Sequence, residues 1–577
     1  MSQATAAAES RILGGRATLR RLFSARNVIV AAVVAAISYL ALVPLGFLLW
    51  QTFVRDGRLS VDSFRGAYAT TGLGRMTLNS LEFALGSSAL AIVLGTALAY
   101  LVVRTDVPFK PLLYAASLVP LIIPGILHTI AWIFLADPNI GILNKYVIRP
   151  LDGGHPFTVQ SIPGMIVVEG FHLAPLVFLL MVASFRSMDP SLEESAIMSG
   201  ASLRSVFFRV TLPLARPALY AAILIMVVRG LESFEVPALL GLPSHIFVFT
   251  SRIWDVLHAL PPNYSQAGAY AMSLLVLTTI GVLWHARLAK RARAYQTVTG
   301  KGFRPRPIHL GVWRWPATLL IFAYFVVAVV LPLLVLAYAS TQNFYSPPTR
   351  DTLSNMTLAP YHTVIHDDLV KHALKNSVIL GLGSATVVML VAAVASWLVV
   401  RTRVRGRWLI DNLAFLPLTI PGLVLGVALL SIYLRTPWLP VYGTLWILFL
   451  AYLTRYMPYG MRYASTSMFQ IGRELEESAQ MSGAGWLQTF RRIVLPLLMP
   501  GFVAGWIYIV VVSVRELGSS ILLYSPGREV LSIAIWEMNA NGQLTELSAL
   551  GIMMVGGLVI LVAVAYKLGA RIGVREA

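Results

Sequence analysis

A short polar segment occurs twice in this otherwise apolar chain. The first copy covers 193–213 and the second covers 476–496, so equivalent residues lie 283 positions apart. A repeat at one fixed offset indicates that the chain contains two related halves. The shared residues are Glu193, Glu194, Ala196, Gly200 and Pro213 in the first copy, and Glu476, Glu477, Ala479, Gly483 and Pro496 in the second.

The composition indicates a membrane protein. Of the 577 residues, 57% are hydrophobic and 12% are charged, whereas soluble domains carry about 25% charged residues. The chain contains no cysteine, which excludes disulfides, thiolate metal sites and cysteine nucleophiles. The net charge of +19 is better explained by Lys and Arg in cytoplasmic loops than by nucleic-acid binding.

The apolar stretches predict an all-α polytopic membrane protein with twelve spanning helices, since each span needs about 20 apolar residues. The first stretch shows no cleavable-signal pattern and is expected to be retained, with the N-terminus in the cytoplasm. Lys and Arg then concentrate in the even-numbered loops, as cytoplasmic loops require. The predicted spans are 28–50, 80–103, 111–135, 163–184, 214–238, 264–286, 315–339, 374–400, 408–433, 443–467, 500–524 and 548–568.

The two halves also match outside the polar segment. Asn79-Ser80 recurs as Asn376-Ser377, and Pro124-Gly125 recurs as Pro421-Gly422, both at an offset of 297. The first half therefore carries 14 extra residues, which we assign to the external segment 137–159 with its Asp152-Gly153-Gly154. Six spans per half predict two parallel repeats with a pathway between them. The predicted boundaries are a tail at 1–27, a first permease domain at 28–286, a basic cytoplasmic linker at 287–314 and a second permease domain at 315–577.

Each copy of the polar segment lies in the cytoplasmic loop between the fourth and fifth span of its half. The sequence predicts a short helix from Glu193, a sharp turn at Gly200, and a second short helix before Pro213 opens the next span. Such an element protrudes once per half, which suits a soluble partner that is present twice.

The spacing Glu-x-Ala, then Gly, then a β-branched residue followed by x-Leu-Pro resembles the loop of permease subunits in binding-protein-dependent ABC importers. The two copies depart from it only in Ser195 and Ser478, where that family usually has Ala. The resemblance implies a type I importer permease fold in the bacterial inner membrane, with both termini cytoplasmic. It also implies coupling helices that dock on two ATP-binding subunits, an external solute-binding protein, and ATP with Mg bound only by the partner subunits.

The substrate is predicted less sharply than the class. Fused pairs of this length look most like ferric-iron-type permeases, with thiamine, aminoethylphosphonate and spermidine/putrescine permeases as relatives. The segments 231–240 and 515–519 favour the iron group, but Glu235 stands where that group commonly has Gly. The sequence contains no Gly-x4-Gly-Lys-Ser/Thr phosphate loop, so the energy is expected to come from a partner and the chain to be non-catalytic.

Several ionisable residues fall inside the predicted spans, where a charge costs about 2.5–3.5 kcal/mol. One interpretation is that they line the pathway or an outer gate, since carboxylate oxygens suit a hard cation such as Fe(III). The other is that Arg229–Glu232 and Arg515–Glu516 are structural ion pairs, and both remain open. His128 is expected to be a hydrogen-bonded packing residue, and no metal site is assigned. The pathway candidates are Glu232, Glu235, Arg515, Glu516 and the equivalent pair His172 and Arg455.

Two other classes of membrane protein fit parts of this pattern. A secondary transporter of the major facilitator type also has twelve spans, but it requires a charged Gly-rich motif that 104–110 does not supply. A membrane enzyme would require a clustered metal set or a nucleophile beside a base. Neither class explains the doubled segment.

Overall fold

The computed structural model describes residues 25–55, 57–69, 72–151, 157–292, 307–402 and 406–571. The predictions for most of the N-terminal tail, for the middle of the linker and for Asp152-Gly153-Gly154 lie outside these ranges. The all-α fold class is confirmed, with one two-stranded hairpin pairing Val54–Arg55 with Arg58–Leu59.

The first half contains thirteen α-helices in its described part. They are α1 Ala25–Phe53, α2 Asp62–Tyr68, α3 Leu73–Arg104, α4 Lys110–Leu118, α5 Gly125–Ala136, α6 Arg149–Leu151, α7 Ile162–Ser187, α8 Ser191–Met198, α9 Leu203–Val206, α10 Leu212–Leu214, α11 Arg216–Glu232, α12 Phe249–His258 and α13 Tyr264–Ala292.

The second half repeats this order after its own first span. Its helices are α14 Arg314–Phe325, α15 Leu331–Ala339, α16 Arg350–Ser354, α17 Ala359–His366, α18 Asp368–Arg401, α19 Arg407–Phe415, α20 Gly422–Leu434, α21 Leu445–Gln470, α22 Glu474–Met481, α23 Trp486–Thr489, α24 Leu495–Val514, α25 Leu531–Ala540 and α26 Leu544–Arg571. A π-helical turn, Val326–Val330, joins α14 to α15.

The described residues contain eight helices long and apolar enough to cross a membrane, and up to eleven spans if each of three bent pairs counts as one. The remaining predicted span, 443–467, corresponds to α21, which is a continuous helix of 26 residues. It is less apolar than the others because Arg455 and Arg462 lie within it.

Two predicted spans are not straight helices. The third span of the first half bends by 97° between Leu121 and Gly125, and its counterpart bends by 103° between Thr419 and Gly422. The repeated prolines explain both breaks, because Pro lacks an N–H and its ring clashes with the preceding helical turn. The predicted continuous helices 111–135 and 408–433 were therefore wrong in shape.

The fifth span of each half also ends earlier than predicted. Helix α11 stops at Glu232 and α24 stops at Val514, whereas the predicted spans continued to 238 and 524. The chain then turns through short helical segments towards α12 and α25. The residues after each break therefore leave the axis of the preceding helix.

The first span of each half packs against the other half. Helix α1 contacts α19 and α20, and α15 contacts α5. Tyr345 Oη donates to the Phe134 carbonyl oxygen at 2.9 Å, and the hydroxyls of Tyr39 and Tyr433 are hydrogen-bonded. The exchange makes the two halves one packed unit.

The repeated Asn-Ser pair holds a short helix in each half, α12 in the first and α25 in the second. Asn79 Nδ2 donates to the Phe247 carbonyl oxygen at 3.1 Å, and Asn376 Nδ2 donates to the Glu529 carbonyl oxygen at 2.9 Å. The serines next to them accept the first backbone N–H groups of α12 and α25, at 3.1 and 2.8 Å. This satisfies helix N–H groups that have no partner within their own helix.

Candidate functional site

The doubled polar segment folds as predicted in both halves. Two residues after the end of α8 and of α22 lies a glycine with positive φ, 85° at Gly200 and 80° at Gly483. A side chain is strained in that conformation, so glycine is the residue that permits the turn. A second short helix follows, and it bends by 73° into α11 at Ala215 in the first half.

The tip of each segment carries an exposed methionine. Met198 is 89% exposed and Met481 is 90% exposed, and both are the last residue of their helix. Leu192 and Leu475, which are also equivalent, are about half exposed. The same exposed apolar tip therefore recurs at equivalent positions in the two halves.

The two glutamates of each pair point in different directions. Glu477 is exposed and Glu194 is half-buried, while Glu193 and Glu476 are buried. The guanidinium of Arg104 pairs with Glu193, and both side chains are at most 4% exposed. In the second half, Arg401 Nε lies 3.1 Å from Glu476 Oε1. Of the predicted residues, Glu193 and Glu476 therefore face the interior.

A second predicted group forms the central charged cluster, which we define as Arg229, Glu232, Glu235, Arg455, Arg515 and Glu516. Its most connected member is Glu516. The Glu516 carboxylate lies 3.1 Å from Arg455 Nε and accepts the Tyr456 hydroxyl at 3.2 Å. It also accepts the backbone N–H and the hydroxyl of Ser519, both at 3.1 Å. The predicted partner of Glu516 was its neighbour Arg515, and the structure replaces it with Arg455.

The first-half members of the cluster are more loosely held. Arg229 and Glu232 are 4.0 Å apart between Nη1 and Oε2. Arg229 and Glu232 lie on the same helix but Glu235 does not, because α11 ends at Glu232 and the backbone turns at Ser233. Glu235 instead begins the next helical turn.

Two arginines of the cluster reach across to the other half. Arg229 Nη2 donates to the Tyr459 hydroxyl at 2.7 Å, and Arg515 donates to the carbonyl oxygen of Leu121. Since each half contributes one donor, the cluster lies at the interface between the halves. Both interpretations of these charges, a pathway lining and structural ion pairs, fit this position, because the ion pairs themselves lie at the boundary between the repeats.

The repeated Pro-Gly sequence gives the cluster room. A Cβ on Gly125 would lie 2.4 Å from Glu235 Oε2, and a Cβ on Gly422 would lie 3.1 Å from Arg455 Nη1. Both values are closer than ordinary van der Waals contact. At the break in the third span of each half, a glycine therefore leaves space for a charged side chain.

His128 is a hydrogen-bonded packing residue, as expected. Its Nε2 lies 3.2 Å from the Val168 carbonyl oxygen. Its ring centroid is 5.4 Å from that of His172, a neighbour that the sequence analysis did not find. In the described part of the chain, no group of three or more His, Cys, Asp or Glu residues is arranged to hold a metal ion.

Sequence reasoning missed an aromatic contact between the halves. Trp254 of α12 and Trp536 of α25 meet edge to face with centroids 5.7 Å apart, and Phe234 packs 5.6 Å from Trp536. A signal was present, because Val248 and Trp254 recur as Val530 and Trp536 with the same spacing.

Comparison with known proteins decides the family. The model of the family described as "Binding-protein-dependent transport system inner membrane component" matches residues 91–294 and 389–573. The chain belongs to this family. Each matched region contains one copy of the polar segment, so the chain is a fused two-domain ABC importer permease of the inner membrane. The secondary-transporter and enzyme alternatives are thereby set aside, while the predicted domain boundaries stay a prediction.

Several curated relatives of this binding-protein-dependent permease transport ferric iron by name. The Fe(3+)-transport system permease protein FbpB 2 of Haemophilus influenzae is 25% identical over 81% of this chain and 84% of the relative. The ferric transport system permease protein FbpB of Actinobacillus pleuropneumoniae is 22% identical over 68% of this chain, but only 56% of that relative is covered. The spermidine/putrescine permease PotC of Escherichia coli is 26% identical over 35% of this chain and 76% of the relative.

Solved structures of a bacterial ABC transporter that imports alginate were also found. One is 19% identical, covers 45% of this chain and 96% of that chain, and gives a TM-score of 0.37.

Proposed function

We propose that this permease moves ferric iron from an external binding protein into the cytoplasm, driven by two separate ATP-binding subunits. The observation that supports this proposal is the doubled helix pair of α8 and α22, with matched exposed tips at Met198 and Met481. The iron assignment draws its support from the FbpB relatives and from the carboxylates between the halves.

The docking surface is proposed to be the exposed side of α8 and α22. Glu194, Glu477 and the two methionine tips lie on it, whereas Glu193 and Glu476 do not. A protruding apolar residue fits a cleft on a soluble partner. Two such residues on one chain fit a partner present in two copies, with ATP and Mg held entirely by that partner.

The first test is ATP-dependent uptake of radioactive ferric iron into vesicles that contain the permease, its ATPase and the loaded binding protein. The double variant Glu194→Ala, Glu477→Ala is expected to abolish uptake by uncoupling the ATPase. The matched control is Ser195→Ala, Ser478→Ala, which alters exposed neighbours on the same helices and should leave uptake unchanged.

The outcomes separate substrate from class. ATPase activity that the loaded binding protein stimulates without iron uptake would discard iron, and spermidine or 2-aminoethylphosphonate would then be tried in the same vesicles. Uptake driven by a proton gradient without any ATPase would contradict the proposed drive.

The predicted orientation has its own test, because the chain contains no cysteine. A single cysteine at Met198 is expected to react with an impermeant maleimide only from the cytoplasmic side. A single cysteine at Leu260, which is 95% exposed, should react only from outside. The opposite labelling would invert the topology.

A further inference from the structure

We propose that the buried ion pairs Arg104–Glu193 and Arg401–Glu476 are rigid joints that fasten each cytoplasmic helix to the second span of its half. Through these joints, a displacement of α8 or α22 by the ATPase would move α3 or α18 as one body. The residues act as positioning residues, and the inference rests on the proposed docking of α8 and α22 on the ATPase.

Both pairs are withdrawn from solvent. The side chains of Arg104 and Glu193 are 0% and 4% exposed, and those of Arg401 and Glu476 are 7% and 10% exposed. Removing one partner would leave the other charge buried without compensation. The pair is therefore far more costly to open than an exposed ion pair at the same distance.

Each joint ties together more than two elements. Thr211 Oγ1, next to the start of the fifth span, donates to Glu193 Oε1 at 2.5 Å, and Arg104 Nη1 lies 3.5 Å from the Phe185 carbonyl oxygen of the fourth span. In the second half, Arg401 Nη2 donates to the Met468 carbonyl oxygen of the fourth span at 3.2 Å. The cytoplasmic helix is thus fixed to the ends of several spans at a single buried point.

The two halves build the joint from different side chains. Val494 stands at the position equivalent to Thr211 and cannot donate. Trp397 Nε1 instead donates to Glu476 Oε2 at 3.1 Å, from the position equivalent to Tyr100. Different partners around the same Arg–Glu pair indicate that the pair itself is the common functional element.

The second span connects the joint to the charged cluster. Helix α3 runs for 32 residues without an internal proline, and it packs closely on α11. A Cβ on Gly230 would lie 2.9 Å from the Ala84 Cα atom, so the helices touch at their backbones. Gly230 lies between Arg229 and Glu232 of the cluster. A shift of α3 would therefore displace these two charged residues.

The decisive experiment measures distances between nitroxide labels in the complete importer. Cysteines are introduced in pairs, at Met198 with Leu78 and at Met198 with Met481. Leu78 lies near the start of α3 and is 52% exposed. Between the nucleotide-free and the ATP–vanadate state, the 198–481 distance is expected to change while the 198–78 distance stays constant.

A change in the 198–78 distance would overturn the joint, because the helix would then pivot on its span. Cross-linking of a cysteine at Met198 to the ATPase distinguishes this failure from failure of the proposed function. If the cross-link forms and the 198–78 distance changes, only the joint is wrong. If no cross-link forms, the docking assignment falls and the joint falls with it.

A variant series gives an independent readout. Glu193→Gln with Glu476→Gln should leave the ATPase bound and stimulated, but lower the iron transported per ATP by about threefold to tenfold. Glu193→Asp with Glu476→Asp keeps the charge and should recover part of the loss. A purely structural role would yield fewer complexes that each transport at the normal ratio, which would contradict the proposal. If the Gln variant fails to assemble, the label distances in the unmodified joint decide.

Discussion

The two halves share their backbone features and one buried Arg–Glu pair, but not the charged side chains of the central charged cluster. Both break the third span at a Pro-Gly, both hold a short helix, α12 or α25, with an Asn-Ser pair, and both bury an Arg–Glu pair beneath α8 or α22. At the central charged cluster the correspondence ends. At equivalent positions of the repeat, the first half has Glu232, Glu235 and His172, and the second half has Arg515, Gly518 and Arg455.

The difference shows which positions the duplicated fold requires. Both copies need the residues that shape the backbone. These are the glycine in close contact, the proline at the bend, and the asparagine amide that donates to a carbonyl oxygen. A side chain that faces the boundary between the halves is free to diverge, because the two halves supply it jointly. The resulting boundary is asymmetric, with one strongly held carboxylate and others that are weakly held.

The largest loss of stability is expected from removing the charge of the more strongly held carboxylate, Glu516. Glu516→Gln removes the charge that Arg455 faces and weakens the bonds from Tyr456 and Ser519, so it should lower stability by about 3 kcal/mol. Glu232→Gln removes a pair separated by 4.0 Å and should cost about 1 kcal/mol or less. Thermal unfolding of the purified complex in nanodiscs measures both.

Measuring iron uptake by the same two variants tests whether the carboxylates line the pathway, which stability alone does not show. Both variants should cut iron uptake if the carboxylates line the pathway, and Glu232→Gln should do so at normal expression. Unchanged uptake by Glu232→Gln would contradict a pathway role for that residue and favour a structural ion pair. Equal stability losses for the two variants would remove the asymmetry itself.

Sequence patterns predicted the elements that depend on local chemistry. The apolar stretches located the helices, the fixed offsets located the halves, and Gly200 marked the turn with positive φ. They did not predict that Glu193 would be buried, because adjacent glutamates differ only in which side of the helix meets Arg104. They also missed the partner of Glu516, since Arg455 comes from another span and only tertiary packing brings it near.

The prolines were visible in the sequence, but their effect was underestimated. Pro124 and Pro421 lie inside apolar stretches long enough to span, and length alone favoured one continuous helix. The bends of 97° and 103° follow from tertiary packing around residues that already weaken the helix. Charged residues after the breaks at Glu232 and Val514 could have served as a signal that those helices end.

A middle-sized effect tests whether the shared devices are equally important. Asn79→Ala removes one hydrogen bond to a carbonyl oxygen. Asn376→Ala removes the equivalent short bond and a longer one, at 3.5 Å, to the Gly527 carbonyl oxygen. Each variant should lower stability by about 1 kcal/mol. Because the two short bonds are equivalent, the losses should agree within the error of a thermal unfolding experiment. A clearly larger loss in one half would show that α12 and α25 do not contribute equally to stability.

The smallest expected effect concerns a contact between the linker and the first half. Ile308 N–H donates to the Arg104 carbonyl oxygen at 2.7 Å, and Asp106 N–H donates back to the Ile308 carbonyl oxygen at 3.1 Å. Leu310 N–H donates to Asp106 Oδ1 at 2.9 Å, and His309 Nδ1 lies 3.2 Å from Asp106 Oδ2. The end of the linker is thereby fastened beside the turn that carries Arg104.

These contacts make the attachment sensitive to acid. The Leu310 N–H, and to a lesser degree His309, lower the pKa of the Asp106 carboxyl below its usual range. A group with a lowered pKa stabilises the folded state above its unfolded pKa, and the contribution is lost as pH falls through the folded pKa. The loss should be under about 1 kcal/mol, because the His309 side of the contact is exposed.

Hydrogen exchange of the Ile308 and Leu310 amides, corrected for intrinsic rates, measures this effect. Protection should decline as the pH falls below the usual aspartate range, and Asp106→Asn should remove that dependence. His309→Gln should change it little, because the backbone N–H of Leu310 is the larger cause of the lowered pKa. If His309→Gln removed the dependence as fully as Asp106→Asn, the exposed imidazole rather than the backbone would be what holds the linker to the first half.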